Sequence, residues 1–196
     1  KPLLIAVVGA TATGKTDAAI ALCKRLGGEA ISMDAMQIYQ GLSIGTARPE
    51  PEALGAVPHH MIAAIPPDEK FSVAAYAQRV LPLIEELRAR GKQPVLVGGT
   101  GLYLDAIQWP LRFAGAPEDA ALRERLMGEE AEALHGRLRS LDPRSAERLP
   151  VGDKRRVVRA LEIVLNTGTP MREAQDERQG RFDLLLLGLT LPREAL

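Results

Sequence analysis

The residues most clearly suited to chemistry lie near the amino terminus, where two glycines are separated by four residues and followed by lysine and threonine. The segment reads Gly-Ala-Thr-Ala-Thr-Gly-Lys-Thr, with an apolar run before it and a helical pattern after it. In such a loop the backbone N–H groups bind phosphate, the lysine adds positive charge, and the threonine hydroxyl binds Mg²⁺. We predict a diphosphate-binding loop with Thr16 as the metal ligand. Its residues are Gly9, Ala10, Thr11, Ala12, Thr13, Gly14, Lys15 and Thr16.

The type of reaction at a bound phosphate depends on a nearby carboxylate, and Asp34 is the best candidate for that carboxylate. It follows an apolar stretch, 29–33, that we predict to be a strand. The carboxyl ends of parallel strands line the ligand crevice of an open α/β sheet, so Asp34 is expected near the phosphate loop. Three roles are open for it: metal ligand, general base, or cap of the following turn. The strand predicted at 94–97 ends in Gly-Gly-Thr, without the carboxylate that an NTPase usually has there.

Alternating strands and helices are predicted to position these residues. The predicted strands are 3–8, 29–33, 60–65, 94–97 and 182–191, and the predicted helices are 16–26, 72–90 and a short one after 101. Residues 40–58 contain three glycines and three prolines, which favours an extended loop. The alternation implies an α/β fold with a P-loop NTPase-like, mostly parallel sheet flanked by helices.

From Pro117 the sequence changes to helices rich in Arg, Glu, Leu and Ala. We therefore divide the chain into a core at 1–115, a helical insertion at 116–178 and a return to the core sheet at 179–196. Between Arg137 and Arg159 there are eight basic and three acidic residues, so this stretch carries a charge of about +5. Such a stretch suits a polyanion, although a solvated helical face has the same composition.

Composition excludes several classes of protein. The 196 residues are 46% hydrophobic with zero net charge, which is typical of a globular domain rather than a disordered chain. No apolar run reaches the roughly 18 residues of a membrane span. A single cysteine, Cys23, excludes an intramolecular disulfide and a multi-cysteine zinc site. The sequence opens directly into a strand pattern without a signal peptide, and we expect a cytoplasmic protein. We also expect a monomer without membrane partners.

Several further motifs resemble those of the tRNA dimethylallyltransferases, and they occur in that family's order over about residues 4–192. They are Ser-Met-Asp-Ala-Met-Gln-Ile-Tyr at 32–39, Gly-Thr-Ala-Arg-Pro at 45–49, Val-Pro-His-His at 57–60, Phe-Ser at 71–72, Val-Gly-Gly-Thr-Gly-Leu-Tyr at 97–103 and Asp-Lys-Arg-Arg-Val-Val-Arg-Ala-Leu-Glu at 153–162. Members of that family continue past the point where this sequence stops. We therefore expect this chain to be incomplete at its carboxyl end.

The resemblance implies transfer of a dimethylallyl group from dimethylallyl diphosphate to N6 of the adenine 3′-adjacent to the anticodon in tRNA. Diphosphate would leave, and the loop, Lys15 and Mg²⁺ would neutralise its charge. Thr11 matches a threonine beside the reacting diphosphate. An exocyclic adenine amine is a poor nucleophile, and the resemblance implies that Asp34 accepts its proton.

The resemblance also implies that the anticodon stem-loop of tRNA is the partner. It assigns tRNA contacts to Asp34, Ala35, Met36, Gln37, Thr100, Arg123, Arg155, Arg156, Val157, Val158 and Arg159. Independently of the resemblance, helical spacing puts four apolar residues on one face of 154–167 and leaves Arg155, Arg156, Arg159 and Glu162 away from it. Such a helix offers guanidinium groups to phosphates, whereas a solvated helix with an Arg159–Glu162 ion pair has the same pattern.

Two other functions stay open: prenyl transfer to a free adenine nucleotide, and phosphoryl transfer by a small-molecule kinase. The basic insertion argues against the first, and the strand end without a carboxylate argues against the second. His59 and His60 adjoin in a predicted strand and would face opposite sides, so we expect hydrogen-bonding roles rather than a metal site. Tyr39, Tyr103 and Trp109 could stack on a base, although packing is the commoner role.

Overall fold

The computed structural model describes residues 1–109, 118–170, 179–192 and 194. These form two compact units, one from Lys1–Pro110 with Gly180–Leu196 and the other from Leu111–Gln179. The expected boundaries near residues 115 and 178 lie outside the described residues. The strands are β1 (Leu3–Gly9), β2 (Glu29–Ser32), β3 (His59–His60), β4 (Pro94–Gly98) and β5 (Asp183–Leu189). The helices are α1 (Lys15–Leu26), α2 (Pro51–Ala56), α3 (Val73–Ala89), α4 (Gly101–Gln108), α5 (Ala120–Met127), α6 (Ala131–Leu141), α7 (Pro143–Arg148) and α8 (Lys154–Thr167).

The first unit is built on a five-stranded parallel sheet in the order β3-β2-β4-β1-β5. Strands β2 and β4 are buried along their whole length, because α-helices cover a parallel sheet on both faces. In the register of the two central strands, Ile5 pairs with Val95 and Val8 with Gly98. The α/β fold with a parallel sheet is confirmed, and β5 lies beside β1 as the last strand.

The two long helices of this unit begin and end where the sequence predicts. Helix α1 ends at Gly27, whose φ of 63° is the left-handed conformation that favours glycine. Helix α3 begins after Ser72, whose side chain accepts a hydrogen bond from the backbone N–H of Ala75 at 3.1 Å. Its residues Tyr76, Val80, Ile84 and Leu87 are fully buried, as their spacing predicts. Among the described residues, no helix has both the length and the apolar character needed to cross a bilayer.

Two local predictions for this unit are wrong. The segment 40–58 is not loop throughout, because Pro51 starts a six-residue helix, α2, at a position where proline's missing N–H has no helical partner. The strand expected at 60–65 is reduced to His59–His60. Met61 and Ala63 have φ angles of 62° and 46°, which end the extended conformation.

A buried carboxylate on β2 contacts the edge strand β3 and the residue that follows α3. Glu29 is 5% exposed, its Oε2 lies 2.7 Å from Nε2 of His60, and Arg90 approaches the same oxygen at 3.4 Å. Burial raises the pKa of Glu29, but the hydrogen bond to His60 and the charge of Arg90 outweigh it and hold the pKa below its ordinary value. The ion cluster therefore fixes β3 beside β2.

The second unit contains four described helices, α5 to α8. Its core consists of Leu122, Leu126, Leu134, Leu138, Ala146, Val157, Val158, Ala160 and Leu161. Three of the helices begin at aspartates, Asp119, Asp142 and Asp153, whose carboxylates accept a backbone hydrogen bond three residues ahead. His135 is buried and contacts the carbonyl oxygens of Ala146 and Leu149, so it has a structural role.

Candidate active site

The candidate site is a cavity of about 340 Å³ at the carboxyl ends of β1, β2 and β4. Loops that follow parallel strands converge at this edge of the sheet, which is why residues far apart in the sequence meet there. The lining residues are Thr11, Ala12, Thr13, Gly14, Lys15, Thr16, Asp17, Ser32, Asp34, Gln37, Thr46, Ala47, Pro49, His59, Ile62, Val97 and Gly98. The cavity thus contains six residues of the predicted phosphate loop together with Asp34 and Gln37.

The phosphate loop connects β1 to α1 in a conformation that requires glycine. Gly14 caps α1 with a φ of 81°, and within the described part of the chain no side chain caps the first helical turn. A Cβ at Gly9 would collide with the carbonyl oxygen of Leu189, so β5 leaves room only for glycine. The Thr13 hydroxyl donates to the Ala10 carbonyl at 2.9 Å and closes the loop. The backbone N–H groups therefore surround a space suited to an anion.

Lys15 adds a positive charge to this space. Its ammonium group donates a hydrogen bond to the Ala10 carbonyl oxygen. Burial lowers the pKa of Lys15, and the negative charge of Asp34 acts in the opposite direction. The lysine charge and the aspartate charge therefore influence each other across the cavity.

Asp34 holds the turn after β2 and also faces the cavity. Its Oδ1 accepts hydrogen bonds from the backbone N–H groups of Met36 at 2.8 Å and Gln37 at 3.2 Å. None of the described residues donates a hydrogen bond to Oδ2. One carboxylate oxygen therefore acts as a cap, while the other is available to a ligand, so capping and catalytic roles are compatible.

Thr100 and Gln37 hold the turn at 34–37 in place from two sides. The Thr100 hydroxyl accepts a hydrogen bond from the Ala35 N–H at 3.2 Å, and the Thr100 N–H donates to the Met33 carbonyl at 3.1 Å. The side-chain amide of Gln37 donates to the carbonyl oxygens of Thr46 and Ala47, both at 3.1 Å. These contacts connect the turn to α4 on one side and to the loop before α2 on the other.

A buried pair of aromatic rings contacts the end of β2, just before the turn at 34–37. Tyr76 and Tyr103 stack with their ring centroids 3.9 Å apart, and the Tyr76 hydroxyl donates to the Ser32 carbonyl at 2.9 Å. Burial raises the pKa of Tyr103, with smaller contributions in the same direction from Tyr39 and Asp34. Since Tyr103 is 5% exposed, it packs within the protein, as expected for the commoner role of such a residue.

His59 lines the cavity, although the sequence analysis left it outside the site. Its Nδ1 lies 2.8 Å from the carbonyl oxygen of Val57, which agrees with the expected hydrogen-bonding role. Its Nε2 is buried and has no hydrogen-bond partner in the described part of the chain. Ser32, Thr46 and Ile62 also lie in the cavity wall, and none of them was predicted as a site residue. Ser32 and Thr46 belong to the motifs at 32–39 and 45–49, but a motif does not show which of its side chains enter a cavity.

The cavity offers oxygen donors suited to Mg²⁺. The Thr16 hydroxyl and the Asp34 carboxylate both line it, and Mg²⁺ is commonly held by a few such groups together with phosphate oxygens. These residues therefore fit a magnesium ion that a bound diphosphate helps to coordinate. Within the described residues, no group of three or more His, Cys, Asp or Glu side chains is arranged to hold a metal ion.

The structure brings some predicted site residues into the cavity and leaves others beside it. Thr11, Lys15, Thr16, Asp34 and Gln37 all line the cavity. Ala12, Thr13 and Gly14 of the phosphate loop also line it. Five predicted residues of the first unit do not: two in the phosphate loop, two in the turn after β2, and one that caps the start of α4. They are Gly9, Ala10, Ala35, Met36 and Thr100.

The predicted arginines belong to the helical unit and differ in their surroundings. Arg155 and Arg156 are exposed, and Arg156 lies 3.3 Å from Asp153. Arg123 and Arg159 instead form ion pairs with Glu162. Glu162 lies just outside the apolar face, as expected, but it is 0% exposed, so a solvated position for it is wrong.

The predicted valines of α8 face inward. Val157 is 1% exposed and Val158 is 3% exposed, and both belong to the core of the helical unit. Their side chains therefore anchor α8. The four apolar residues expected on one face of this helix, Val157, Ala160, Leu161 and Val164, are all buried, which confirms that face.

Comparison with known proteins gives a consistent result. The profile of the IPP transferase family matches residues 37–196. Proteins called tRNA dimethylallyltransferase are similar over nearly the whole chain: that of Pelotomaculum thermopropionicum is 43% identical over 100% of this chain and 64% of its own length, and that of Geobacillus kaustophilus is 46% identical over 97% and 62%. The chain thus spans less than two thirds of the length of these relatives.

Solved structures agree with these sequence relatives. The tRNA isopentenylpyrophosphate transferase of Bacillus halodurans is 40% identical, with a TM-score of 0.66 over 99% of this chain and 62% of its own. A eukaryotic dimethylallyltransferase described as acting on tRNA is 28% identical, with a TM-score of 0.83 over 96% of this chain and 48% of its own.

Proposed function

The chain belongs to the IPP transferase family, and we propose that it carries the catalytic centre of a tRNA dimethylallyltransferase. The enzyme would transfer the dimethylallyl group of dimethylallyl diphosphate to N6 of the adenine 3′-adjacent to the anticodon. The observation that carries this proposal is that the phosphate loop and Asp34 line one cavity. A leaving diphosphate and a proton-accepting carboxylate are the two groups that this reaction needs. We place the enzyme in the cytoplasm as a monomer.

The phosphate loop would stabilise the leaving group. As the bond between C1 of the dimethylallyl group and the diphosphate oxygen breaks, negative charge develops on the diphosphate. The N–H groups of the loop and the Lys15 ammonium lie where they can donate to these oxygens, and Thr11 lines the same part of the cavity. A bound Mg²⁺, held by Thr16 and the diphosphate, would add positive charge at the leaving group. The fixed loop geometry supplies these donors without rearrangement.

Asp34 would act on the adenine. The N6 lone pair forms the new bond to C1, diphosphate leaves with its electrons, and the surplus N6 proton passes to a base. The Oδ2 oxygen of Asp34 is the group suited to accept it, because Oδ1 already caps the turn through Met36 and Gln37. To reach a cavity at the strand ends, the adenine must leave its base stack, as in other enzymes that modify bases.

The tRNA contacts are also part of the proposal. The turn around Asp34 contains Ala35, Met36 and Gln37 and is held by Thr100. We assign to these four residues the contacts with the extruded nucleotide. On α8, the exposed guanidinium groups of Arg155 and Arg156 are suited to phosphates of the anticodon stem-loop. Proteins similar to this chain over nearly its whole length are named tRNA dimethylallyltransferase, which supports tRNA as the acceptor.

The test is an acceptor competition. The protein is mixed with Mg²⁺, labelled dimethylallyl diphosphate and one of three acceptors: unmodified tRNA, the same tRNA with guanosine at the target position, or AMP. Label on the first tRNA and not on the second supports the proposal, because guanine lacks the exocyclic N6 amine. Label on AMP instead assigns the enzyme to the free-nucleotide class. Label on no acceptor, with ATP consumed in a parallel reaction, overturns the proposal in favour of a kinase.

A further inference from the structure

A single buried carboxylate connects two helices of the helical unit. The Oε1 atom of Glu162 on α8 accepts a hydrogen bond from the backbone N–H of Asp119 at 2.7 Å, at the start of α5. Its Oε2 accepts from Nε of Arg123 at 2.9 Å and from Nη1 of Arg159. Glu162 is 0% exposed, so its carboxylate is shielded from water.

The cluster has more positive than negative charge at its centre. Burial raises the pKa of Glu162, but the hydrogen bonds from Arg159, Asp119 and Arg123 outweigh it and hold the pKa below the ordinary value. The ionised carboxylate of Glu162 therefore forms ion pairs with the guanidinium groups of both Arg123 and Arg159. Arg123 also lies 3.4 Å from Glu118, whose side chain is 63% exposed, and such exposed pairs are weak.

Stability alone is a poor explanation for this arrangement. A buried carboxylate between two partly exposed arginines costs desolvation energy, and apolar residues of similar volume often stabilise a helix contact as well or better. What a carboxylate provides is orientation, since it fixes the planar fork of an arginine. The side chains of Arg123 and Arg159 remain 33% exposed, so both fixed guanidinium groups reach the surface.

The positions on α8 place this cluster next to the exposed arginines. Arg155 and Arg159 are four residues apart and lie on the same side of the helix, and Glu162 follows three residues later. Resting on the proposed function, we infer that Glu162 is a positioning residue that holds Arg123 and Arg159 in the orientation needed to bind RNA phosphates. Together with Arg155, these two arginines form a three-arginine surface built from two helices.

Positioning and simple charge attraction predict opposite effects of Glu162→Gln. The glutamine retains an oxygen that can accept from the Asp119 N–H, but it removes the negative charge that holds both arginines. The unit becomes more positive by one charge, so binding governed by net charge would strengthen. If Glu162 acts by orienting the arginines, binding of the correct RNA weakens instead.

The experiment measures binding of a fluorescent anticodon stem-loop without any prenyl donor. We expect the Kd of E162Q to rise about tenfold, equivalent to about 1.4 kcal/mol, while its affinity for heparin stays equal or increases. Glu132→Gln is the matched control, because it makes the same charge change at an exposed residue of α6. In steady-state kinetics the KM for tRNA rises, while kcat and the KM for dimethylallyl diphosphate stay unchanged. Unchanged or tighter stem-loop binding by a folded E162Q would overturn the inference.

A second variant covers the case in which E162Q does not fold. Arg159→Lys keeps the charge and leaves Glu162 paired, but replaces the planar fork with a flexible ammonium group. Positioning predicts weaker stem-loop binding by R159K, and unchanged binding would contradict it. Failure of the wild-type protein to bind the stem-loop would refute the proposed function, whereas wild-type binding that these variants leave unaltered would refute the positioning role alone.

Discussion

Replacing Asp34 by asparagine separates its two roles, because asparagine retains an oxygen where Oδ1 caps the turn. The hydrogen bonds from the N–H groups of Met36 and Gln37 can persist, so the turn should stay in place. The variant loses the proton-accepting carboxylate, and removal of a general base lowers turnover by about 100- to 10,000-fold. Asp34→Ala removes the base and also both capping hydrogen bonds, each worth about 1 kcal/mol. We therefore expect similar kcat losses in both variants and a raised KM for tRNA only in D34A.

The assay is single-turnover transfer of labelled dimethylallyl groups to tRNA, combined with equilibrium binding of diphosphate in Mg²⁺. Asp17→Asn is the matched control, since Asp17 lines the same cavity and its substitution removes the same charge. Its turnover should stay within a few-fold of the wild type. A D34N enzyme with nearly normal turnover would refute the general-base assignment. Normal turnover of bound substrate together with lost diphosphate binding would assign Asp34 to the metal instead.

Three further changes test other parts of the structure. Gly98→Ala places a Cβ against the backbone at the end of β2, so it should lower the free energy of unfolding by about 1–3 kcal/mol in urea titrations, whereas Gly101→Ala, with open space around it, should not. Glu29→Gln should lower stability at pH 7. Because the native pKa of Glu29 is depressed, that difference should shrink as the pH falls below 4.5 and through the native pKa; an undiminished difference at acid pH would contradict this. Replacing both Arg155 and Arg156 by alanine should weaken tRNA binding and reduce its salt slope by about 0.9 for each lost phosphate contact, with an unchanged Tm; an unaltered salt slope would identify this face as merely solvated.

The sheet and its loop were predictable because the relevant information is local in the sequence. A continuous apolar run followed by a glycine-bounded loop and a capped helix specifies β1, the phosphate loop and α1 without reference to the rest of the chain. The same holds for α3, where Ser72 and the apolar spacing agree. The length of β3 was overestimated, because Met61 and Ala63 adopt positive φ angles that end the strand. Methionine and alanine normally avoid that conformation, so the sequence does not indicate it.

The candidate site was predictable only in part, for a related reason. Asp34 could be placed near the phosphate loop because parallel strands end at the same edge of the sheet. The amide of Gln37 bonds to carbonyl groups about ten residues away, and His59 reaches the cavity from the far side of β2. Such contacts depend on the path of loops, which residue spacing does not encode.

The surroundings of Glu162 show where helical periodicity stops being informative. At about 100° per residue, Glu162 lies about 40° beyond Val158 on the helix surface, just outside the apolar face. A charge at that edge is solvated on an isolated helix, but here α5 packs against α8 and supplies Arg123 and the Asp119 N–H as partners. The same contact engages Arg159, so the charge of about +5 counted between residues 137 and 159 overstates the number of free cations on this surface. Binding experiments on α8 should therefore change the exposed Arg155 and Arg156 separately from Arg159, since only Arg159 also pairs with Glu162, the residue that connects the two helices.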